Sequence, residues 1–338
     1  MKKVLLTGIT GYIGNHCALE LLKAGYSVKG SVRDMSKAEA IKEMLSKEIN
    51  TDGKLEFCVL DLLKDEGWQE AMQGCEYVLH VASPFVMHEP KDENLYIKPA
   101  VEGTLRALKA AQKAGVKRIV ITSSIVAMLG DADKSIALNT NAWTNVNAKN
   151  ISAYAKSKTL AEQSAWDYMQ NQAKESSMEL TVINPGPVYG PSLSGNLSGA
   201  SMDMFSQMLS GKMPMVPNSA MNMSDVRDVA KIHVLALENA EAAGKRFIVT
   251  TNEPHSFQSI AQILKDNGYD KVSTKIAPNF LLYFLGHFNR ELKSMRAFIG
   301  KTYTADITPA KEVFNWNPIN LDKTILDTAV SIQAHSQQ

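Results

Sequence analysis

Cysteine is scarce in this 338-residue chain, and the three present form no pattern. Cys17, Cys58 and Cys75 make neither a C-x-x-C pair nor an even disulfide framework, which excludes a disulfide scaffold and a dithiol redox motif. The seven histidines have no H-x-x-x-H or comparable spacing, so no metal centre is expected. Neither sign of charge is in excess. Thirty-six basic and 35 acidic residues leave a formal +1, too little to favour nucleic acid or an anionic membrane. No apolar run reaches the length of a membrane span; the longest, NFLLYFLGHF (279–288), suits a buried helix or a pocket wall. The opening MKKVLLTGITG passes into a glycine-rich loop without a cleavage pattern, so a signal peptide is not expected. These absences together describe a reduced, metal-free, cytoplasmic protein.

What the chain does have is apolar residues, 45% of the total, enough for a large core. In the first half, short runs of Val, Ile and Leu alternate with helical patterns. The runs are KVLLTG (3–8), YSVKGSV (26–32), LEFCVLD (55–61), YVLHVAS (77–83), RIVITSS (118–124) and LTVINPG (180–186). They are continuous rather than alternating, as strands covered on both faces should be. Between them lie GNHCALELLKAG, SKAEAIKEMLSKE, DEGWQEAMQG, VEGTLRALKAAQKAG and AYAKSKTLAEQSAWDYMQNQ, several ending at a glycine cap. This order predicts an α/β fold of Rossmann type, a doubly wound parallel sheet. After Pro185 the chain becomes rich in Gly, Pro and Ser. Residues 1–185 plus about 221–245 are therefore expected to form a dinucleotide-binding domain. Residues 186–220 plus about 246–338 are expected to form a smaller C-terminal lobe.

TGITGYIGNH places Gly8, Gly11 and Gly14 after the first strand and at the start of the first helix. Glycine is required where the backbone turns tightly and its N–H groups approach a pyrophosphate. The second strand ends SVRD. An acid there would suit the ribose hydroxyl of NAD, whereas Arg33, with Lys37 a turn later, suits the 2′-phosphate of NADP. Asp34 complicates the choice, since a slip of two residues restores an NAD-type acid. NADP(H) is the favoured cofactor, with NAD(H) open. Asp61 and Leu62, at the end of the third strand, are placed to touch adenine; the alternative for Asp61 is an ordinary helix cap.

Tyr154 and Lys158 lie one helical turn apart in SAYAKSK. A phenol is a poor acid–base group near neutral pH, and a nearby ammonium lowers its pKa. One such pair is expected by chance, so the spacing alone decides little. The fifth strand, however, ends in ITSSIV, placing Ser123 and Ser124 at the carboxyl edge of the sheet, where ligands of this architecture bind. A serine hydroxyl there can steady the oxyanion formed by hydride addition.

The glycine loop, the strand-end TSS and Y-A-K-S-K, in that order, resemble the extended short-chain dehydrogenase/reductases of the NAD-dependent epimerase/dehydratase superfamily. SVRD, HVASPF (80–85), AYAKSKTLAEQSAW (153–166) and NPGPVYGP (184–191) are similar to the dihydroflavonol reductase, cinnamoyl-CoA reductase and yeast methylglyoxal (carbonyl) reductase group. The resemblance covers nearly the whole chain. It implies Ser124, Tyr154 and Lys158 as the catalytic residues. It implies cofactor contacts from Gly8, Ile9, Thr10, Gly11, Tyr12, Ile13 and Gly14, from Arg33, Lys37, Asp61 and Leu62, and from Val81, Ala82 and Ser83. Ser123, Pro185 and Val188 complete that set, with Ser201 a looser match. Phe85, Leu129, Ile151 and Pro187 should surround the substrate together with Ser124 and Tyr154, although core packing explains apolar residues equally well. The sequence lacks the asparagine after the serine pair found in plant flavonoid reductases. It also lacks the N-W-Y-C-Y signature of cinnamoyl-CoA reductases.

The resulting expectation is an NADPH-dependent reductase of a small uncharged aldehyde or ketone, acting as a monomer or homodimer. Alternatives are a sugar-nucleotide epimerase or dehydratase, a 3β-hydroxysteroid dehydrogenase and a non-catalytic NADP-sensing regulator. No arginine occurs from residue 187 to 226 to hold a sugar diphosphate. The intact serine, tyrosine and lysine disfavour the regulator.

Overall fold

The computed structural model describes residues 1–84, 92–131, 136–149, 151–172, 177–195, 199–288 and 295–336. Phe85 lies outside them. Six expected strands form, as β1 (Lys3–Thr7), β2 (Ser27–Val32), β3 (Leu55–Val59), β4 (Tyr77–His80), β5 (Arg118–Thr122) and β6 (Glu179–Pro185). A seventh, β7 (Lys245–Val249), falls at the expected boundary of the smaller lobe and instead completes the sheet. The order is β7-β6-β5-β4-β1-β2-β3, and every pairing is parallel.

Side chains along each strand alternate between two cores, which explains the continuous apolar runs. Val4, Leu6, Leu79, Val120 and Ile183 join one core, shared with α1 (Tyr12–Lys23), α2 (Ala38–Ser46) and residues 226–234. Leu5, Val78, Ile119, Ile121 and Val182 join the other, shared with α3 (Trp68–Met72), α4 (Asn94–Lys113) and α5 (Ala153–Gln172). Helix α4 begins seven residues before the pattern VEGTLRALKAAQKAG and carries Pro99 within it.

Past β6 the chain forms α6 (Ala200–Leu209), then α7 (Val226–Leu235), which returns to the sheet. Beyond β7 come α8 (Phe257–Asp266), α9 (Asn279–Leu285), α10 (Thr308–Phe314) and α11 (Leu321–Ser336). Short pairings tie this half together, among them Val188–Tyr189 with Ser224–Asp225. Helix α11 turns three buried hydroxyls, Thr324, Thr328 and Ser331, back onto the rest of the molecule. The Thr328 Oγ1 accepts from the Gly190 amide at 2.7 Å and Ser331 Oγ from the Ser192 amide at 2.8 Å. Thr324 donates to Asp225 at 2.7 Å. No described helix is long and apolar enough to cross a membrane.

Candidate active site

The glycine loop joins β1 to α1 under tight steric constraint. Gly8 adopts φ +73°, and a Cβ there would lie 2.8 Å from the Ala82 nitrogen. A Cβ on Gly14 would lie 2.0 Å from the Gly8 carbonyl oxygen, so only glycine lets α1 start this close to the strand. Gly11 stands at the helix N-cap with no side chain capping the first turn, and no acid occupies that turn. The exposed N–H groups and the helix dipole thus favour an anion. Ile9 is fully buried and Ile13 half-buried, so Ile9 faces the loop through its backbone alone. Tyr12 points elsewhere: its hydroxyl donates to the Gly190 carbonyl at 2.9 Å. Asn15 and His16 make the same junction, His16 Nε2 with Pro191 O at 2.8 Å and Asn15 Oδ1 accepting from Ser194 at 2.6 Å. Thr10, also in this loop, is half-buried.

Beyond β2, Arg33 and Lys37 are exposed, and no hydrogen bond or ion pair engages Arg33 among the described residues. Asp34 is committed locally. Its carboxylate accepts from the Ser36 amide at 2.9 Å, which holds its pKa below the usual carboxylate range. Asp61 likewise accepts from the Leu63 amide at 2.9 Å, capping a turn well before α3 begins. Leu62 packs beside Gly103 and, with Ala82, Ser83, Ser123 and Lys158, lines a cleft at the carboxyl edge of the sheet. Val81 is half-buried beside them.

At the end of β5, Ser124 is 8% exposed. Its hydroxyl reaches the Pro185 carbonyl at 3.4 Å and accepts from the Val126 amide at 3.3 Å. The half-buried Tyr154 phenol lies within hydrogen-bonding range of that hydroxyl. Burial pushes Tyr154 up to about 12, and the Ser124 contact opposes the rise. Buried Tyr96, on α4, faces the same phenol. Lys158 is buried and donates to the Thr122 carbonyl at 3.2 Å. Loss of solvent brings it down to about 8, opposed by the charge of Glu162. The Ser124 hydroxyl and the Tyr154 phenol thus meet past the end of β5, and Lys158, one turn further along α5, lines the cleft.

Other expected residues sit differently. Ser123 turns inward and donates to Glu162 at 2.5 Å. Leu129 is 0% exposed and packs in the core, and Ile151 is buried in the same cluster, so neither offers surface to a ligand. Pro187 and Val188 are half-buried on the loop after β6, while Pro185 is buried within it. Ser201 meets the buried Tyr189 hydroxyl.

Three residues at the site escape sequence reasoning. Glu162 is 1% exposed, Asn184 0% and Arg246 8%, forming a polar cluster behind Ser123. The available signal is the face of α5. Lys158 and Glu162 share a stripe with Ala155 and Ala165, small residues that mark a buried side.

The chain is similar to several known proteins. A family model, the NAD dependent epimerase/dehydratase family, matches residues 4–250. Cinnamoyl-CoA reductase 1 of Arabidopsis thaliana is 36% identical over 273 residues, covering 78% of this chain and 74% of that one. The NADPH-dependent methylglyoxal reductase GRE2 of Saccharomyces cerevisiae is 30% identical over 284 residues, 78% of this chain and 82% of that one. The crystal structure of the yeast methylglyoxal/isovaleraldehyde reductase Gre2 complexed with NADPH superposes with a TM-score of 0.78 at 27% identity, covering 99% of each chain. With its glycine loop, parallel sheet and matched length, this chain belongs to the NAD dependent epimerase/dehydratase family, the extended short-chain dehydrogenase/reductases.

Proposed function

We propose that the chain is an NADPH-dependent carbonyl reductase acting on a small uncharged aldehyde or ketone. The observation that carries this is the contact of the Ser124 and Tyr154 hydroxyls past the end of β5, with Lys158 one turn on along α5, beside an uncapped, glycine-lined helix start. The residues fit the cofactor. Gly8 and Gly14 leave no room for side chains, Arg33 is unengaged among the described residues and Asp34 is already used by its own turn. Arg33 and Lys37 would hold the 2′-phosphate, and the amides from Gly8 to Ile13 the pyrophosphate. Val81, Ala82, Ser83 and Leu62 would border the rest of the groove. The GRE2 relative named as NADPH-dependent supports the same preference.

Bound NADPH supplies the hydride. Ser124 donates a hydrogen bond to the substrate carbonyl oxygen and holds it beside the phenol. Tyr154 donates its proton to the same oxygen as negative charge develops there. The Lys158 ammonium, one turn away on α5, would favour the phenolate left behind, against the burial that raises Tyr154. Pro187 and the residues around it border the substrate from the smaller lobe. A sugar diphosphate suits the site less well, because Arg227, the first arginine after Pro187, is held by Asp225 and Asp327.

The test is NADPH oxidation measured with aldehydes, diketones, methylglyoxal and steroids, with NADH in parallel. Tyr154→Phe is expected to lower kcat by about two to four orders of magnitude while leaving NADPH affinity in place. Full turnover in that variant would remove Tyr154 as the acid.

A further inference from the structure

The least exposed charged side chain near the site is one that the proposed chemistry does not use. Glu162 lies two turns after Tyr154 and one after Lys158 on α5, and its carboxylate joins four elements. Oε2 accepts from Ser123 Oγ at 2.5 Å, at the end of β5, and from Asn184 Nδ2 at 2.9 Å, in β6. Asn184 Nδ2 also donates to the Ser124 carbonyl at 3.1 Å, so the backbone of Ser124 is tied to the same carboxylate. Oε1 accepts from Arg246 Nε at 2.5 Å, on β7. Arg246 in turn donates to the carbonyls of Thr140 (3.1 Å) and Ala142 (2.9 Å), in the segment leading to α5, and stacks 3.8 Å from the Trp143 ring centroid.

A buried carboxylate needs a reason, since a well-packed apolar pair of similar volume often serves stability as well. We propose that Glu162 is a positioning residue for the carbonyl-reducing step: it fixes the strand ends that carry Ser124 and supplies the counter-charge to the Lys158 ammonium. This rests on the reductase reading.

The surroundings of Lys158 make Glu162 its main counter-charge. From α5 it faces Glu162, and Tyr154, which burial keeps protonated, lies one turn before it. From β4 it faces His80, which burial holds neutral down to about 3. From β5 it meets the Thr122 carbonyl, whose hydroxyl pairs with His233 at 2.7 Å, another histidine kept neutral by burial. From α4, Tyr96 faces Tyr154. Arg246 lies on the far side of Glu162 and competes with Lys158 for its charge.

The competition gives variants of opposite sign. Protein labelled with 15N-lysine, its Lys158 signal assigned by its loss in Lys158→Met, is titrated by NMR without substrate. The wild-type Lys158 should titrate near 8. In Glu162→Gln the midpoint should fall by about one pH unit, because the negative charge is gone. In Arg246→Gln it should rise, because Glu162 keeps its charge and loses its partner. The alkaline limb of kcat, measured with a carbonyl that the wild type reduces, should move in the same two directions, and kcat in Glu162→Gln should fall about tenfold or more. NADPH affinity should change little in either.

A scaffolding role would leave the Lys158 midpoint unmoved in both variants, or move it the same way in both, and would overturn the proposal. If Glu162→Gln fails to fold on a melting curve, Arg246→Gln carries the test alone. A wild type that reduces no carbonyl would remove the reductase reading, while the NMR arm would still decide whether Glu162 governs the proton on Lys158.

Discussion

Arg33 and Asp34 are neighbours with opposite implications for the cofactor, and their surroundings separate them. Asp34 is spent on the Ser36 amide, whereas Arg33 is exposed and unengaged among the described residues. Arg33→Ala should weaken NADPH binding about ten- to a hundredfold in a fluorescence titration, the worth of a charge-assisted hydrogen bond or two. NADH binding should barely change; an equal loss for both would make Arg33 structural. The glycines are legible from sequence because φ and close approach demand them, whereas Tyr154, Lys158 and Ser124 are legible only together, in the order that carries the family resemblance. Glu162 and Arg246 are not, because an isolated Glu or Arg in a polar segment is ordinarily solvated. Only the partner 84 positions away makes their burial affordable. Leu129 and Ile151 show the converse. An apolar residue near a motif belongs to the core as readily as to a pocket wall, and here it belongs to the core.

At the scale of elements, the hydroxyls of α11 serve the loop after β6. In Thr328→Val the Gly190 amide loses its acceptor at a site where Thr328 is 0% exposed. The expected loss is about 1–3 kcal/mol of unfolding free energy in a denaturant melt, recovered in Thr328→Ser. Equal stability of Val and Ser variants would mean that the contact contributes nothing. The strands inside the sheet are readable because burial on both faces makes them continuous and apolar, while β3, at the edge, is only part-buried. The seventh, KRFIV, opens with two cations and looks like surface. One of them, Arg246, is the buried partner of Glu162. Helix α4 is readable only from Val101 onward, because Pro99 ordinarily ends a helix pattern, yet it sits at the sixth position of this one. The hydroxyl face of α11 is invisible in sequence, since the amides that donate to Thr328 and Ser331 lie more than 130 residues away.

For the molecule as a whole, three buried histidines set the response to acid. Burial lowers His16 and His233 to about 4 and His80 to about 3, below the ordinary value of 6.5. The unfolded chain therefore binds more protons than the folded one once the pH drops under about 6.5, and stability declines from there towards 4. The carboxylates held low by partners, such as Glu56 and Asp327, lose their contribution only in more acidic solution, as they protonate. Melting temperature should thus already fall between about pH 6.5 and 5, and a flat profile there would mean that these histidines are solvated. The grip of α11 on residues 190–192 has a consequence for how such a protein diversifies. The helix grasps main-chain amides rather than side chains, so its hold on Ser192 does not depend on the side chain there. The residue at 192 can change with that grip undisturbed.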